Sequence, residues 1–306
     1  MLFKGKWKQA EVSTLACLFF CCVSILCLWY DFFSSNAMNS IKDALTQPKK
    51  APQILAQLTE EGLVQHKRSN TSLFLSAISA GLEISFSVLL MGVVYTLFNA
   101  TMSREAMHTL LAICYPLGFI FVIVGKSELF TEHTTVAVLP TIVKKTSFTS
   151  LLRLWGIVLS GNLIGVTVFS FILTSLPVSM GIVSRDAYHY IASSITEYRW
   201  YNIAGSAVLA GWLMGLLGWL IISATDTISR IIIVVLVTFV IGISGLHHSV
   251  VGATEVMAGV LTSDDFSLKD FIYFLAFAAS GNIIGGAFFV AALKKSHTRE
   301  EHFDVQ

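Results

Sequence analysis

Long apolar segments separated by short polar ones make up most of this chain. Four of them are apolar throughout, or hold a single acid, over residues 73–98, 154–173, 201–223 and 271–293. About 20 apolar residues in an α-helix are enough to cross the hydrocarbon core of a bilayer. Each segment therefore predicts one membrane-spanning helix.

Two further apolar segments are interrupted by polar residues. The segment at 106–143 is broken at Gly125-Lys126-Ser127-Glu128-Leu129-Phe130-Thr131-Glu132-His133, and the segment at 231–261 at Gly245-Leu246-His247-His248-Ser249-Val250-Val251-Gly252-Ala253-Thr254-Glu255. Polar, non-helical backbone at membrane depth is tolerated only where protein or a watery cavity satisfies it. The pattern predicts an all-α membrane protein of six spans whose second and fifth helices are broken.

The two halves of the chain repeat each other. Ser160-Gly161-Asn162-Leu163-Ile164-Gly165 recurs 120 positions later as Ser280-Gly281-Asn282-Ile283-Ile284-Gly285, and Gly125 and Gly245, which open the breaks, are also 120 apart. Three spans per half place the halves in opposite orientations, so the repeat is a 3+3 inverted one with a pathway between the halves.

The repeated Gly-Asn element predicts helix packing. Glycines four residues apart let helix backbones approach closely. The packing candidates are Gly161, Asn162, Gly165, Gly281, Asn282 and Gly285. We expect the two asparagines to bond the backbone that the breaks leave free.

Composition supports a membrane protein and excludes other classes. The chain has 306 residues, of which 55% are hydrophobic and 13% charged, and a mean hydropathy of +0.73. A net charge of +1 indicates no nucleic-acid partner. The sequence contains no catalytic Ser/His/Asp set, metal-ligand spacing or phosphate loop. It therefore predicts no enzyme, no metal and no cofactor.

The chain divides into four predicted regions. Residues 1–37 form an N-terminal extension with an apolar segment, which need not belong to the mature protein. Residues 38–71 form a cytoplasmic leader with a helix across 51–63. Residues 72–293 form the six-helix transport domain, and residues 294–306 a tail.

Basic residues predict the orientation. Lys and Arg concentrate in the leader, in the loop with Lys144 and Lys145, and in the tail with Lys294 and Lys295. Cytoplasmic loops carry such an excess. We therefore expect a multi-pass protein of the cytoplasmic (inner) membrane with both ends of the transport domain in the cytoplasm.

From about residue 72 to 293 the chain resembles the formate/nitrite transporter family. The resemblance rests on Glu128-Leu129-Phe130-Thr131, Gly161-Asn162, His248-Ser249 and Gly281-Asn282-Ile283-Ile284-Gly285-Gly286. It implies an aquaporin-like fold, a homopentamer with one pore per subunit, and transport of small monovalent anions of the formate or nitrite type.

The resemblance also implies roles for single residues. His248 would be the central pore histidine, between an inner constriction and an outer apolar one. The inner constriction would be formed by Leu129, Phe130 and Thr131, and the outer one by Tyr115 and Phe119. The chain departs from the family where Glu132-His133 follows the Leu-Phe-Thr motif, which is typical of a divergent branch rather than of a characterised formate or nitrite channel.

Histidine suits a proton-linked pathway. With an unperturbed pKa of about 6.5, the His248 side chain could protonate a weak-acid anion and recover its proton from water. The neutral acid would then pass the apolar constrictions. We expect the neighbouring His247, which points elsewhere, to have a structural role.

Intramembrane acids leave the substrate open. The possible pore charges are Glu83, Glu128, Glu132, His133 and Glu255, and the 120-residue spacing places Glu128 opposite His248. The acids either pair with His133, Lys126 and the helix N-termini, or they serve cation or proton traffic. Two alternatives therefore remain: a conduit for a neutral or cationic solute such as ammonia or ammonium, and a structural membrane protein with a closed pore.

Overall fold

The computed structural model describes residues 49–292. The predicted N-terminal extension, the first part of the predicted leader and the predicted tail at 294–306 lie outside the described residues. Within 49–292 the backbone forms thirteen α-helices, one π-helical segment and no strand.

The first half contains eight helices. They are α1 Ala51–Lys67, α2 Asn70–Ile84, α3 Phe86–Phe98, α4 Arg104–Cys114, α5 Pro116–Gly125, α6 Phe130–Val136, α7 Val138–Ile142 and α8 Phe148–Ser179. The second half contains five helices and the π-helical segment. They are α9 Arg185–Thr196, α10 Trp200–Ser223, α11 Thr227–Ile243, α12 Ser249–Thr262, α13 Leu268–Ile284 and the π-helical Gly285–Ala292.

Five continuous helical stretches are long and apolar enough to cross a membrane. They cover Asn70–Phe98, Arg104–Gly125, Phe148–Ser179, Trp200–Ser223 and Leu268–Phe288. The remaining span is divided between two shorter apolar helices, α11 with 17 residues and α12 with 14. The second span is also divided, because Lys126–Leu129 separates α5 from α6. The predicted fold class, six spans with a broken second and a broken fifth, is confirmed.

Glycines bring the helices of each half together. In the first half α2 packs along α8, and a β-carbon placed on Gly81 would lie 2.3 Å from the carbonyl oxygen of Asn162. In the second half α10 packs along α13, and a β-carbon on Gly211 would lie 2.3 Å from the carbonyl oxygen of Asn282. The two halves therefore share the same close approach of helix backbones, as expected for a repeat.

An amphipathic helix precedes the three spans of each half. α1 packs on α7 and α6, where a β-carbon on Gly62 would lie 2.3 Å from the carbonyl oxygen of Val136. α9 packs on α12 and buries Tyr188 and Ile191 completely or almost so. The more polar composition of residues 175–200 predicts an outside loop with at most a short surface helix. The structure instead places one face of α9 in the core.

The third span is longer than its hydrophobic pattern predicts. α8 begins at Phe148 and ends at Ser179, about six residues beyond the predicted 154–173 at each end. Polar residues at its far end are satisfied within the helix, because their hydroxyls bond carbonyls of the preceding turn. Thr174 donates to the Ser170 carbonyl at 2.9 Å and Ser175 to the Phe171 carbonyl at 2.6 Å.

Candidate functional site

The first break is held by the side chain of Asn162. Its Oδ1 accepts a hydrogen bond from the Phe130 backbone N–H at 2.8 Å. Its Nδ2 donates to the carbonyl of Glu128 at 2.9 Å and to that of Ala77 at 2.8 Å. One buried amide thus satisfies two backbone groups that the break would otherwise leave unpaired, and it ties the break to the Ala77 carbonyl on α2.

Asn282 holds the second break in the same way. Its Oδ1 accepts from the Ser249 N–H at 2.8 Å, and its Nδ2 donates to the carbonyls of His247 at 3.0 Å and Ala207 at 2.8 Å. Because the two asparagines donate to the carbonyls of Glu128 and His247, these two residues occupy equivalent positions in the two breaks.

The prediction that Glu128 lies opposite His248 is therefore wrong. The residue equivalent to His248 is Leu129, since both precede their half-helix with φ of −100°. The breaks are 119 residues apart, whereas the asparagines are 120 apart, because the second half holds one more residue between the break and its asparagine.

His248 lies at the junction of the two halves. It is 1% exposed, and its Nε2 lies 2.7 Å from the hydroxyl oxygen of Thr131 in the first break. Its Nδ1 accepts the backbone N–H of Val251 at 3.3 Å. In the neutral ring this pattern assigns the proton to Nε2, which donates to Thr131. The structure thus brings His248 and Thr131 together.

Two aromatic rings of the second span form a row that starts at His248. The Phe119 ring meets the imidazole edge-on at a centroid distance of 5.1 Å, and Tyr115 lies 5.4 Å from Phe119. The helix is interrupted between α4 and α5 at Tyr115. There the Ser87 hydroxyl donates to the Tyr115 carbonyl at 2.7 Å and accepts the Gly118 N–H at 2.8 Å.

A cavity of about 710 Å³ leads to His248 from the side on which α9 lies. We call it the vestibule. Exposed residues such as Arg104 and Tyr198 stand at its mouth, and the buried Tyr115, His247 and His248 form its floor. Phe119, Leu129 and Phe130 are not part of its lining and are at most 1% exposed. The vestibule therefore ends at His248.

The remaining members of the Leu-Phe-Thr motif are packed in protein. Leu129 is fully buried at the start of α6. The Phe130 ring lies 6.4 Å from that of Trp155 on α8, and the Trp155 Nε1 donates to the His133 carbonyl at 3.0 Å. Trp155 thus fixes the start of α6 against the third span.

Glu128 faces α1. Its carboxylate forms an ion pair with Arg68 at the end of α1, lies 2.5 Å from His133 Nε2, and accepts from the Gln65 amide at 3.0 Å. His133 therefore pairs with Glu128, and not with Glu83, Glu132 or Glu255 as one interpretation of the sequence expects.

The other acids have different surroundings. Glu83 Oε1 accepts from the hydroxyls of Ser79 at 2.6 Å and Ser127 at 3.0 Å. Within residues 49–292, neither Glu132 nor Glu255 has a hydrogen-bond or ion-pair partner. Of these acids, only Glu255 lines the vestibule.

His247 connects the second break to its neighbours. Its Nε2 donates to the Ile195 carbonyl just before the end of α9 at 3.0 Å, and its Nδ1 bonds the hydroxyl of Ser206 on α10. The Ser206 hydroxyl also accepts the His247 backbone N–H at 3.2 Å. These bonds fit the structural role expected for this residue.

Sequence reasoning missed several residues that support the site. Arg68 counted there only as a basic residue of the leader, although it pairs with Glu128. Ser87 and Trp155 are single polar or aromatic residues in apolar segments, with no motif around them. Ser87 precedes the helix interruption at Tyr115 by 28 residues. Its role could be predicted only if the contact between the two helices were already known.

Comparison with known proteins agrees with this architecture. The family model described as "Formate/nitrite transporter" matches residues 52–295. The "Inner membrane protein YfdC" of Escherichia coli (strain K12) is 30% identical over 257 residues, which cover 83% of this chain and 81% of that protein. The "Probable formate transporter" of Methanothermobacter thermautotrophicus is 27% identical over 197 residues, 58% of this chain and 71% of that protein.

Solved structures share the fold. One described as "FNT family ion channel" aligns with a TM-score of 0.71 and 18% identity over 81% of this chain and 99% of that chain. Another, "Pentameric formate channel with formate bound", aligns with a TM-score of 0.65 and 24% identity over 75% of this chain and 98% of that chain. Because the family model spans most of the chain and the fold agrees, this protein belongs to the formate/nitrite transporter family and is a membrane channel or transporter rather than an enzyme.

Proposed function

We propose that the protein conducts small monovalent anions of the formate or nitrite type across the membrane, linked to protons through His248. Membership of the family and the resemblance to a probable formate transporter support the substrate class. The observation that carries the mechanism is the position of His248, a buried imidazole at the floor of the vestibule and at the contact between the halves.

In the proposed chemistry the anion loses its charge before it crosses the apolar part of the pathway. An anion entering hydrocarbon unpaired would cost several kcal/mol or more. In this proposal His248 takes a proton from water in the vestibule and gives it to the anion, which becomes the neutral acid. The acid then passes Phe119 and Leu129, whose apolar side chains exclude the ion. The ring returns to its neutral form, which Thr131 and the Val251 N–H hold in place.

Uptake by proteoliposomes tests this mechanism. We expect wild-type protein to take up formate or nitrite under an inward proton gradient. We expect His248→Ala to lower the initial rate about 100-fold, within the range of general acid-base catalysis. His189→Ala is the matched control, because the His189 side chain is 43% exposed, lies outside the vestibule lining and bonds the exposed Asp265. Uptake by His248→Ala at the wild-type rate would overturn the role of His248.

A second candidate function has one observation in its favour. Glu255 lies in the vestibule without a partner among the described residues, and a carboxylate attracts cations and repels anions. A conduit for ammonia or ammonium is therefore the alternative. The same liposomes, given ammonium with no weak-acid anion, distinguish the two: ammonium flux without formate or nitrite flux would favour the alternative.

We further propose a homopentamer in which the α1 side faces the cytoplasm. The pentameric assembly of a structural neighbour and the inner-membrane location of a relative support it. The basic Lys144 and Lys145 follow α7, on the side of α1. Single cysteines at Lys145 and Asp264, in a chain whose own five cysteines are replaced, test the orientation. An impermeant thiol reagent added to intact cells should label position 264 and leave position 145 unlabelled.

A further inference from the structure

Glu255 is a buried acid inside the vestibule. It is 5% exposed, and no residue of 49–292 forms a hydrogen bond or an ion pair with it. His248, Gly252 and Glu255 follow the spacing i, i+4, i+7 and are the three residues at the start and along the length of α12 that line the vestibule. The carboxyl group therefore shares one helix face and one cavity with the histidine, about 10 Å further along the helix axis.

Other titratable groups of the vestibule do not neutralise Glu255. Arg104, Glu105 and Glu197 are exposed at the mouth, where water screens their charge. Of the three histidines, His108 is exposed and bonds the Ile243 carbonyl, while His247 is held by Ile195 and Ser206. His248 is buried at the inner end of the cavity, and its Nδ1, which accepts a long bond of 3.3 Å from the Val251 N–H, is the ring nitrogen that can take up a proton.

The remaining titratable groups are phenols. Three tyrosines line the cavity: Tyr115 at the junction of α4 and α5, Tyr190 on α9 and Tyr198 in the loop after α9. The elements packed on the other sides of α12 add no titratable group to the lining within the described residues. α3 contributes Met91 and α13 contributes Phe274, and both are apolar.

An unpaired carboxylate in such a place is costly, so the group holds either a proton or a cation. A metal site is poorly supported, since residues 49–292 contain no group of three His, Cys, Asp or Glu that could hold a metal. Phe274 also fills the space beside the helix, because a β-carbon on Gly252 would lie 2.2 Å from its ring. Met91 and Phe274, which α3 and α13 contribute to the lining, are apolar and supply no oxygen ligand, and this favours the proton.

We propose that Glu255 is the proton-loading group of the vestibule, which takes protons from the water at its mouth and passes them to His248. The inference rests on the proposed proton-linked anion transport. In the first step the Glu255 carboxyl gives its proton, through vestibule water, to the neutral His248 ring, leaving carboxylate and imidazolium in one cavity. His248 then protonates the anion, and a proton from bulk water restores the carboxyl group.

Formate uptake measured against external pH tests the proposal. We expect Glu255→Gln to lower the initial rate about tenfold at pH 8 and less than twofold at pH 5.5, where bulk protons reach His248 directly. Glu255→Asp should retain most of the wild-type rate, because it keeps the carboxyl group. The matched control is Asp264→Asn, the same change at an exposed acid, which should match wild type at both pH values.

The same experiment separates the possible failures. Wild-type protein that takes up no small anion, or His248→Ala protein that takes it up normally, would overturn the proposed function. If those two results stand as expected, Glu255→Gln uptake that equals wild type at pH 8, or that is lowered equally at both pH values, overturns the role of Glu255 alone. Loss of sodium or ammonium flux with formate uptake unchanged would identify a cation site and also overturn it.

A measurement on wild-type protein keeps the proposal testable should Glu255→Gln not fold. A hydrophobic carbodiimide reacts with protonated carboxyl groups in apolar surroundings. We expect peptide mapping by mass spectrometry to find an adduct on Glu255 at neutral pH, with uptake lost in proportion to labelling. Labelling of other carboxyl groups with Glu255 unmodified would contradict the proposal.

Discussion

Two residues in the breaks adopt the left-handed backbone conformation, and only one is glycine. Gly245 has φ of +60° and Lys126 has φ of +63°. They are 119 residues apart and each leads out of the helix before its break, so they occupy equivalent places. Lys126 bears a steric cost of about 1 to 2 kcal/mol there, which glycine does not.

The Gly245→Ala change should isolate that cost. A β-carbon at this position meets nothing within 4 Å, so the expected loss of about 1 kcal/mol in the free energy of unfolding is purely conformational. Gly205→Ala is the matched control. Its β-carbon also meets nothing within 4 Å, but it lies inside α10, where alanine should be neutral or stabilising by up to about 1 kcal/mol. The free energy of unfolding of both variants can be measured in detergent. Equal effects of the two changes would contradict the interpretation.

The side chains of Asn162 and Asn282 hold the backbone of the two breaks. Asn282→Leu keeps the approximate volume and leaves the Ser249 N–H and the His247 carbonyl of the break without their partner. At about 1 to 3 kcal/mol for each of these two unpaired buried groups, the loss in the free energy of unfolding should be at least about 2 kcal/mol.

Ser280→Ala is the control for this change. Ser280 is exposed on the same helix and donates only to the Ala276 carbonyl of the preceding turn. We expect less than about 0.5 kcal/mol there, as for most surface substitutions. An Asn282→Leu protein as stable as the Ser280→Ala protein would show that other groups or water satisfy the second break.

At the scale of elements, α1 holds the first break from one side of the membrane. His66 lies between Ser150, 2.8 Å from its Nδ1, and the Ala137 carbonyl, 2.9 Å from its Nε2. Arg68 reaches Glu128 within the break. α1 is thus connected to α7, α8 and the break, and its position decides how the break is held.

Removal of the arginine side chain should loosen this connection. Breaking a fully buried ion pair costs about 3 to 5 kcal/mol, but the Arg68 side chain is 27% exposed, so we expect about 1 to 3 kcal/mol for Arg68→Ala. The neighbouring Lys67→Ala should have almost no effect, because Lys67 is exposed. Hydrogen exchange should show faster exchange in α1 and in residues 126–129 of Arg68→Ala only. Unchanged exchange there would mean that His66 alone holds the helix.

At the scale of the whole molecule, a single chain leaves large apolar faces uncovered. Exposed apolar side chains follow α8 and α11, including Phe171, Leu176, Ile232 and Leu236. Lipid or neighbouring subunits must cover them, and we propose both. Native mass spectrometry from a mild detergent should give the mass of five chains of 33.5 kDa each. A monomer under conditions that keep other membrane oligomers intact would contradict the pentamer.

Local patterns predicted the fold well because membrane spans are encoded locally. The broken fifth span follows from His247 and His248 within an apolar segment, since backbone without hydrogen bonds requires polar partners in a membrane. The depth of α9 could not be predicted in this way. Its burial depends on α12, which is about 60 residues away in the chain.

The same limit applies to the acids. Glu128, Glu132 and Glu255 are alike in sequence, each an acid near a break. Glu128 has Arg68 and His133 beside it, whereas Glu255 lines the vestibule and pairs with no residue of the described part of the chain. Distances between residues far apart in the chain decide which acid is neutralised, and a single sequence does not contain them.

By itself, the sequence determined the six spans, the inverted repeat and the place of His248 in the second break, because hydropathy and spacing act along the chain. Only the tertiary structure decided that Leu129 and not Glu128 is equivalent to His248, since the one-residue difference between the halves becomes visible when both asparagines bond their breaks. It also decided that Glu255 faces the vestibule without a partner among residues 49–292, because burial and pairing depend on what folds around a side chain.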